Sequence, residues 1–318
     1  MKKNKMIILT GPTAVGKTRI SIELAKRIGG EIISADSMQV YRGMDIGTAK
    51  IRKEEMQGIP HHLIDCLNPD EEFNVVVFQQ MAGKAAQEIY DRGHIPIIAG
   101  GTAFYIQALL YGVDFTKEEH DMAYREELYQ QGETAKGKSK LYEMLCHIDP
   151  VYAEIVHENN VKRVVRALEY HHFTGERFSA YNERQMQKCA EYDFHYFVLN
   201  DLRERLYANI NLRVDLMVEE GLILEAKNLY QKGYDRSCPS MQGIGYKELF
   251  DCFDGFCTQE EAIDRIKQNT RHFAKRQLTW FKREKDVIWI EKDVYQYDDS
   301  KILDSIIDTI EKDGESSL

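Results

Sequence analysis

Apolar residues fall in short dense runs near the start of the chain and in helix-spaced stripes further on. Met6 to Leu9 is a continuous apolar run, followed by a turn and a helix-compatible stretch reaching about Gly29. Glu31-Ile32-Ile33-Ser34-Ala35 and Ile95-Pro96-Ile97-Ile98-Ala99 are further short strands, with a helix over about 75–91 between them. Apolar strands alternating with helices predict a parallel sheet covered by helices on both faces. In such sheets ligands sit beyond the carboxyl ends of the strands. The segments leaving these strands, 11–18, Asp36-Ser37 and Gly100-Gly101-Thr102, are therefore expected to share one pocket.

From about 115 to 192 the pattern changes to charged, amphipathic helices interrupted by a polar loop at 132–138. It reverts at Phe194-His195-Tyr196-Phe197-Val198-Leu199, a returning strand. Helices follow over 203–231 and 259–285, and Val287-Ile288-Trp289-Ile290 reads as a last strand. The acidic tail after Asp298 is expected to be a peripheral helix with frayed ends. The predicted organisation is an α/β core over 1–114, a helical insertion over 115–193 and a core return over 194–318.

Composition narrows the function classes. With 318 residues, 43% of them hydrophobic, and six prolines, the chain can bury a sizeable core. Its six cysteines show neither CxxC pairs nor zinc-ligand spacing. With no long apolar run for a membrane span or secretory signal, a cytoplasmic setting is expected. The net charge of −10 argues against nucleic acid, but positive charge is concentrated locally. Residues 261–285 hold eight Lys/Arg against three acids, enough for one basic face on an acidic protein.

The chemistry begins at Gly11-Pro12-Thr13-Ala14-Val15-Gly16-Lys17-Thr18, which is GxxxxGKT placed between a strand and a helix. Glycines let backbone N–H groups curl around phosphate oxygens, which the following helix N-terminus also attracts. Lys17 adds a positive charge, and the Thr18 hydroxyl is placed to hold Mg²⁺. The loop serves ATP and other di- or triphosphates alike. Thr102, at a neighbouring strand end, can donate to the same phosphates or cap a helix. Asp36 can act as a general base, a magnesium ligand or a helix cap. Gln39 can read an adenine edge. The pairs His61-His62 and His171-His172 point apart on regular structure and make poor metal sites.

Several further segments occur in a specific order: Asp36-Ser37-Met38-Gln39-Val40-Tyr41, Gly43-Met44-Asp45-Ile46-Gly47-Thr48-Ala49-Lys50, Gly100-Gly101-Thr102-Ala103-Phe104-Tyr105, Arg166-Ala167-Leu168-Glu169, Arg213-Val214-Asp215, Gly243-Ile244-Gly245-Tyr246-Lys247 and Lys275-Arg276-Gln277-Leu278-Thr279-Trp280-Phe281. Over residues 7 to about 290 the chain resembles the tRNA dimethylallyltransferase (isopentenyltransferase) family. That resemblance implies transfer of a dimethylallyl group from dimethylallyl diphosphate to tRNA. The acceptor is the exocyclic amine of the adenosine just 3′ of the anticodon, in tRNAs reading codons that begin with U. It places Lys17, Asp36, Thr102 and Arg213 in catalysis, with Mg²⁺ as cofactor. It assigns RNA contacts to Asp36, Ser37, Met38, Gln39, Thr102, Arg125, Lys162, Arg163, Arg166 and Gln242 through Lys247, that is Gln242, Gly243, Ile244, Gly245, Tyr246 and Lys247. Where the family often has an arginine four positions before Arg213, this chain has Asn209.

The chemistry agrees with that expectation. An allylic displacement needs fixed positive groups around the leaving diphosphate. A base stacked in an anticodon loop must be extruded before it reaches a buried carbon, so the protein must also grip RNA backbone. Lys162, Arg163 and Arg166 share a helix at i,i+3 and i,i+4 spacing. Arg265, Gln268, His272, Arg276, Thr279 and Arg283 form a stripe over the last basic helix. A monomer is expected. Two other readings stay open: a small-molecule kinase with the same loop, and prenylation of free AMP.

Overall fold

The computed structural model describes residues 3–113 and 122–315. In chain order the first part comprises β1 (Lys5–Thr10), α1 (Lys17–Ile28), β2 (Gly30–Ala35), β3 (His61–His62), α2 (Val75–Asp91), β4 (Ile95–Gly100) and α3 (Ala103–Tyr111). Next come α4 (Met122–Gln131), α5 (Ala135–Ile148), α6 (Pro150–Ala153), α7 (Val161–Thr174) and α8 (Phe178–Met186). The return contains β5 (Asp193–Asn200), α9 (Arg203–Glu219), α10 (Leu222–Gln231), a 3-10 turn (Pro239–Gln242), α11 (Tyr246–Phe253), α12 (Gln259–Phe281), β6 (Val287–Glu291) and α13 (Asp299–Glu315). Two compact units result, one of 1–110 with 192–318 and one of 111–191. The boundary expected at 115 lies outside the described residues.

The first unit is built on a six-stranded sheet in the order β3-β2-β4-β1-β5-β6, every pair parallel. The central β1 has Ile7 opposite Ile97 on one side and His195 on the other. Strand alternation divides its side chains between two faces. Ile7 and Leu9 join one apolar cluster with Ile32, Ile97, Phe197 and Leu199, covered by α1, α9, α12 and α13. Helix α2 packs on β2 and β4 through Phe78, Ala82 and Ala86, all fully or nearly buried. At the amino-terminal end of β2, the buried Glu31 accepts from Arg92, His62 and His94. The Arg92 hydrogen bonds chiefly hold its carboxyl down to about 2, assisted by both histidines and opposed by burial. The His61-His62 pair is thus structural: it forms β3, and one ring partners a buried carboxylate.

Helix boundaries follow local signals. Asn74 caps α2 by accepting from Val76 and Val77 N–H, and Thr258 with Glu261 forms a capping box on α12. The helices expected over 203–231 are two, because Gly221 adopts φ 105° between them. The acidic tail is no peripheral appendage. Helix α13 buries Ile302, Leu303, Ile306 and Ile310 in the sheet's own cluster while Asp304, Asp308 and Glu311 are exposed.

The second unit has a separate core. Leu141 and Leu145 of α5, Tyr152 and Ala153 of α6, and Val164, Val165 and Leu168 of α7 pack together with Leu128 of α4. Lys162 and Arg163 are exposed on α7, and Arg166 is half-buried.

Ile306→Ala should destabilise the protein by about 2–5 kcal/mol, since a wholly buried isoleucine leaves a cavity that the sheet cannot close. Thermal or urea unfolding measures this; a loss below about 0.5 kcal/mol would restore the peripheral reading of α13.

Candidate functional site

Because the strands are parallel, the segments after β1, β2 and β4 emerge at one sheet edge and border two adjoining cavities. The smaller, about 150 Å³, is lined by Thr13, Ala14, Gly16, Lys17, Thr18, Asp36 and Gln39, among others. The larger, about 360 Å³, has walls from Asp36, Ser37, Met38, Thr102, Arg213 and Gln242 through Lys247. Apolar surface from Ile210, Val214, Met217, Leu222, Ile266 and Phe273 completes it. Thr13, Asp36, Thr48, Arg213 and Phe273 line both, so they mark the junction.

The loop has the conformation an anion needs. Gly11 lies at φ 146° with the Leu199 carbonyl where a Cβ would project, Ala14 at φ 63° and Gly16 at φ 94°. Gly16 precedes α1 and gives it no side-chain cap, and the first turn carries no acid. The N–H groups there have no side-chain competitor for an incoming anion. Lys17 Nζ lies back across the loop, donating to the Gly11 carbonyl at 3.0 Å and the Pro12 carbonyl at 2.9 Å.

Three charged groups face the junction. The Lys17 ammonium is pushed down to about 8, first by burial and then by the Arg213 guanidinium, with Asp36 opposing. Burial also lowers Arg213, and again Asp36 opposes. Asp36 Oδ1 accepts from the N–H of Met38 at 2.9 Å and of Gln39 at 3.3 Å, so one oxygen holds its own turn. The capping and cavity-facing readings of Asp36 are therefore compatible: the carboxylate does the first and borders both cavities. Thr102 accepts on its carbonyl from Tyr105 and Ile106 N–H at the start of α3, and its side chain lines the larger cavity.

Other sequence-derived candidates sit differently. The Gln39 amide is committed to the protein, donating to the Thr48 and Ala49 carbonyls at 3.3 Å and accepting from Ser34. It lines the smaller cavity, not the larger. Arg125, in the second unit, makes a two-point ion pair with the buried Glu169 at 2.8 and 2.9 Å, so its charge neutralises that carboxylate. Gln242 donates to the Arg236 carbonyl while remaining exposed at the cavity rim. Met38 packs against Gly243, where a Cβ would clash with its methyl group.

Several important residues escaped the sequence reading. Gln277 of α12 accepts from Thr13 N–H at 2.9 Å and donates to the Gly101 carbonyl at 3.0 Å. A polar residue in the buried register of Ile266, Ala274 and Phe281 was the available signal. Lys292, just after β6, donates to the Val15 carbonyl at 3.0 Å, and nothing in its neighbourhood of sequence announces this. Lys50 is buried against Asp45, Asp65 and the Tyr41 carbonyl, which makes Asp65 part of a structural ion pair.

A glycine loop with open backbone donors, adjoining a larger and more apolar chamber, marks the site of this parallel-sheet α/β protein. A family model described as IPP transferase matches residues 39–284, and one described as isopentenyl transferase matches residues 4–67. A tRNA dimethylallyltransferase of Lachnoclostridium phytofermentans is 55% identical over 308 residues, spanning 97% of this chain and 98% of that protein. One from Bacillus cereus is 48% identical over 291 residues, 92% and 91% of the two chains. The crystal structure of a tRNA isopentenylpyrophosphate transferase from Bacillus halodurans superposes with a TM-score of 0.75 at 45% identity, covering 99% of each chain. A eukaryotic dimethylallyltransferase acting on tRNA gives 0.79 at 32% identity, over 93% of this chain and 76% of that one. The chain belongs to the IPP transferase family.

The Lys17 environment makes a pH-dependent prediction. A bound diphosphate ester favours the ammonium and raises its pKa, so binding should take up a proton at and above about pH 8. Affinity should then fall by up to about tenfold per pH unit above that value. Calorimetry in buffers of different ionisation heat measures the uptake, and Lys17→Met should abolish it.

Proposed function

We propose that the protein transfers the dimethylallyl group of dimethylallyl diphosphate to a tRNA adenosine, at the exocyclic amine of the base 3′-adjacent to the anticodon. The tRNAs concerned read codons beginning with U. The observation that carries this reading is the junction itself: Asp36 and Arg213 border both the phosphate-loop cavity and the apolar chamber. The diphosphate belongs with Lys17 and the loop N–H groups, the prenyl chain at the junction, and the purine in the chamber beyond. The curated relatives named as tRNA dimethylallyltransferases support dimethylallyl transfer to tRNA.

In the reaction the allylic C–O bond breaks and a C–N bond forms to the adenine amine. The electron pair leaves on the diphosphate, whose developing charge meets Lys17, Arg213 and the amide cradle. Thr102 donates to the same leaving group. The amine loses a proton as it becomes bonded to carbon, and the Asp36 carboxylate orients that group and takes the proton. Its second oxygen serves this role while the first maintains the turn.

Mg²⁺ would be held at the smaller cavity by the Thr18 hydroxyl, a hard oxygen donor on its wall, which leaves Asp36 to the turn and the amine. Among the described residues no cluster of three or more His, Cys, Asp or Glu would hold an ion unaided. An ion there would share phosphate oxygens and neutralise charge on the leaving diphosphate.

RNA is gripped through Lys162, Arg163 and Arg166 on α7, through the Gln242–Lys247 segment and through the exposed cations of α12. Among the described residues no helix is long and apolar enough to cross a membrane. The reading extends to a cytoplasmic monomer: the exposed cations answer to RNA and need no second subunit.

Incubation with labelled dimethylallyl diphosphate and Mg²⁺ tests the function directly. Label should enter unmodified tRNA and not AMP; phosphate transfer from ATP without prenyl transfer would instead make the protein a kinase. Asp36→Asn keeps an acceptor for the turn and removes the charge, so turnover should fall about 10²–10⁴-fold with tRNA affinity nearly unchanged. Reversing charge at Arg163 and Arg166 should weaken tRNA binding and flatten its salt dependence, as filter binding from low to moderate salt would show.

A further inference from the structure

Glu225 has no part in the chemistry above, yet its carboxylate accepts four hydrogen bonds. The N–H groups of Asp45 and Ile46 donate to Oε2, each at 2.8 Å. The Gly47 N–H at 2.9 Å and the Tyr246 hydroxyl at 2.7 Å donate to Oε1. Three successive N–H groups on one carboxylate form an anion nest, here occupied by a side chain from the first turn of α10. The Tyr246 ring is fully buried, and its hydroxyl is pushed well above the usual range, first by burial and then by Glu225. It therefore stays a donor. Gly47 permits the close approach, since a Cβ there would lie 2.6 Å from the Tyr246 ring and hydroxyl.

The two segments tied to Glu225 are adjoining parts of the larger cavity's lining. Gly47 and Thr48 come from the segment after β2, and Gly245, Tyr246 and Lys247 from the start of α11. Glu225 itself does not line that cavity. The far side of the 45–49 segment is held by Gln39, whose amide donates to the Thr48 and Ala49 carbonyls. One end of this wall is thus fixed from the Asp36 turn and the other from α10. A wall fixed at both ends keeps its shape before any substrate arrives, which is the condition for orienting a base without ordering cost at the moment of binding.

We propose that Glu225 is a positioning residue, joining the 45–47 and 245–247 segments into one wall of the chamber assigned to the extruded purine. Gly47 and Tyr246, the lining residues it bonds, border the larger cavity and not the smaller. This inference rests on the function proposed above, and its test separates the two.

Glu225→Gln keeps the shape but sets an NH₂ group against backbone donors, so the nest loses an acceptor. With an unmodified anticodon stem-loop as acceptor, KM for the RNA should rise by about tenfold or more and kcat should change less. Affinity for dimethylallyl diphosphate, measured by calorimetry, should stay within about twofold of the parent, since the phosphate loop is not touched. Tyr246→Phe removes one of the four donors and should shift KM the same way by about threefold, which carries the test if the glutamine variant does not fold. An unchanged KM in the folded variant overturns the inference and leaves the proposed function standing. So does a loss in which donor affinity, RNA affinity and melting temperature decline together, for that is a general structural defect. A parent protein that transfers no label to the stem-loop overturns the proposed function, and the inference with it.

Discussion

Thr13 N–H donates to Gln277 at 2.9 Å, and the other end of the same amide donates to the Gly101 carbonyl at 3.0 Å, so one buried side chain joins the phosphate loop to the end of β4. The donor and acceptor on Thr13 and Gln277 are 264 residues apart, and the bond closes only after α12 has packed across the sheet. A loop of glycines has no shape of its own; its conformational freedom must be removed from outside. Gln277 does this from one side, the Leu199 carbonyl crowds Gly11 from below, and Lys292 holds Val15. The cradle is thus a product of the finished fold, which is what preorganisation toward a leaving group demands.

Electrostatics then gives the cradle its direction. Two cations, Lys17 and Arg213, are held close enough that the guanidinium helps depress the ammonium, and both pay the larger cost of burial. Asp36 opposes the shift in each case but is one charge against two. The arrangement is unfavourable until an anion enters, and a diphosphate relieves it by supplying the missing negative charge in a poorly solvated place. Since Arg213 also borders the apolar chamber, its charge acts on both cavities.

Much of this was visible in the chain before folding. Dense apolar runs gave the strands, the GxxxxGKT spacing gave the loop, and parallel topology brought Asp36, Thr102 and the loop to one edge because strand ends need no side-chain detail to be placed. What escaped depended on side chains acting far from their own sequence. Glu225 looks like an ordinary acid in the first turn of an amphipathic helix; its three backbone donors lie about 180 residues away, and no local pattern encodes that. Gln39 shows how far residue type alone leaves a partner open. An amide able to read adenine is equally able to bind backbone, and within a tight segment the nearer carbonyls of Thr48 and Ala49 win. The tail was misjudged because its acids dominate composition, whereas burial is decided by the spacing of Ile302, Ile306 and Ile310.

The charge distribution raises a last question of how a chain of net −10 holds a polyanion. Counting cations along α12 overstates the answer, since part of that surplus is spent within the protein. Lys267 pairs with Asp215, Arg265 lies 3.9 Å from Asp251, and Arg271 donates to Asn211. These lie between positions 265 and 271 of the helix. Lys275, Arg276, Lys282 and Arg283, all exposed, belong to the second half or just beyond it, and Arg276 also lines the larger cavity. Positive charge therefore rises along α12 toward the end that carries Gln277 and its bond to the phosphate loop. A gradient of that kind attracts phosphate at long range and delivers it next to the chamber, while acids elsewhere on the surface discourage binding in unproductive places. Net charge says little here; what steers the substrate is where the unneutralised cations remain.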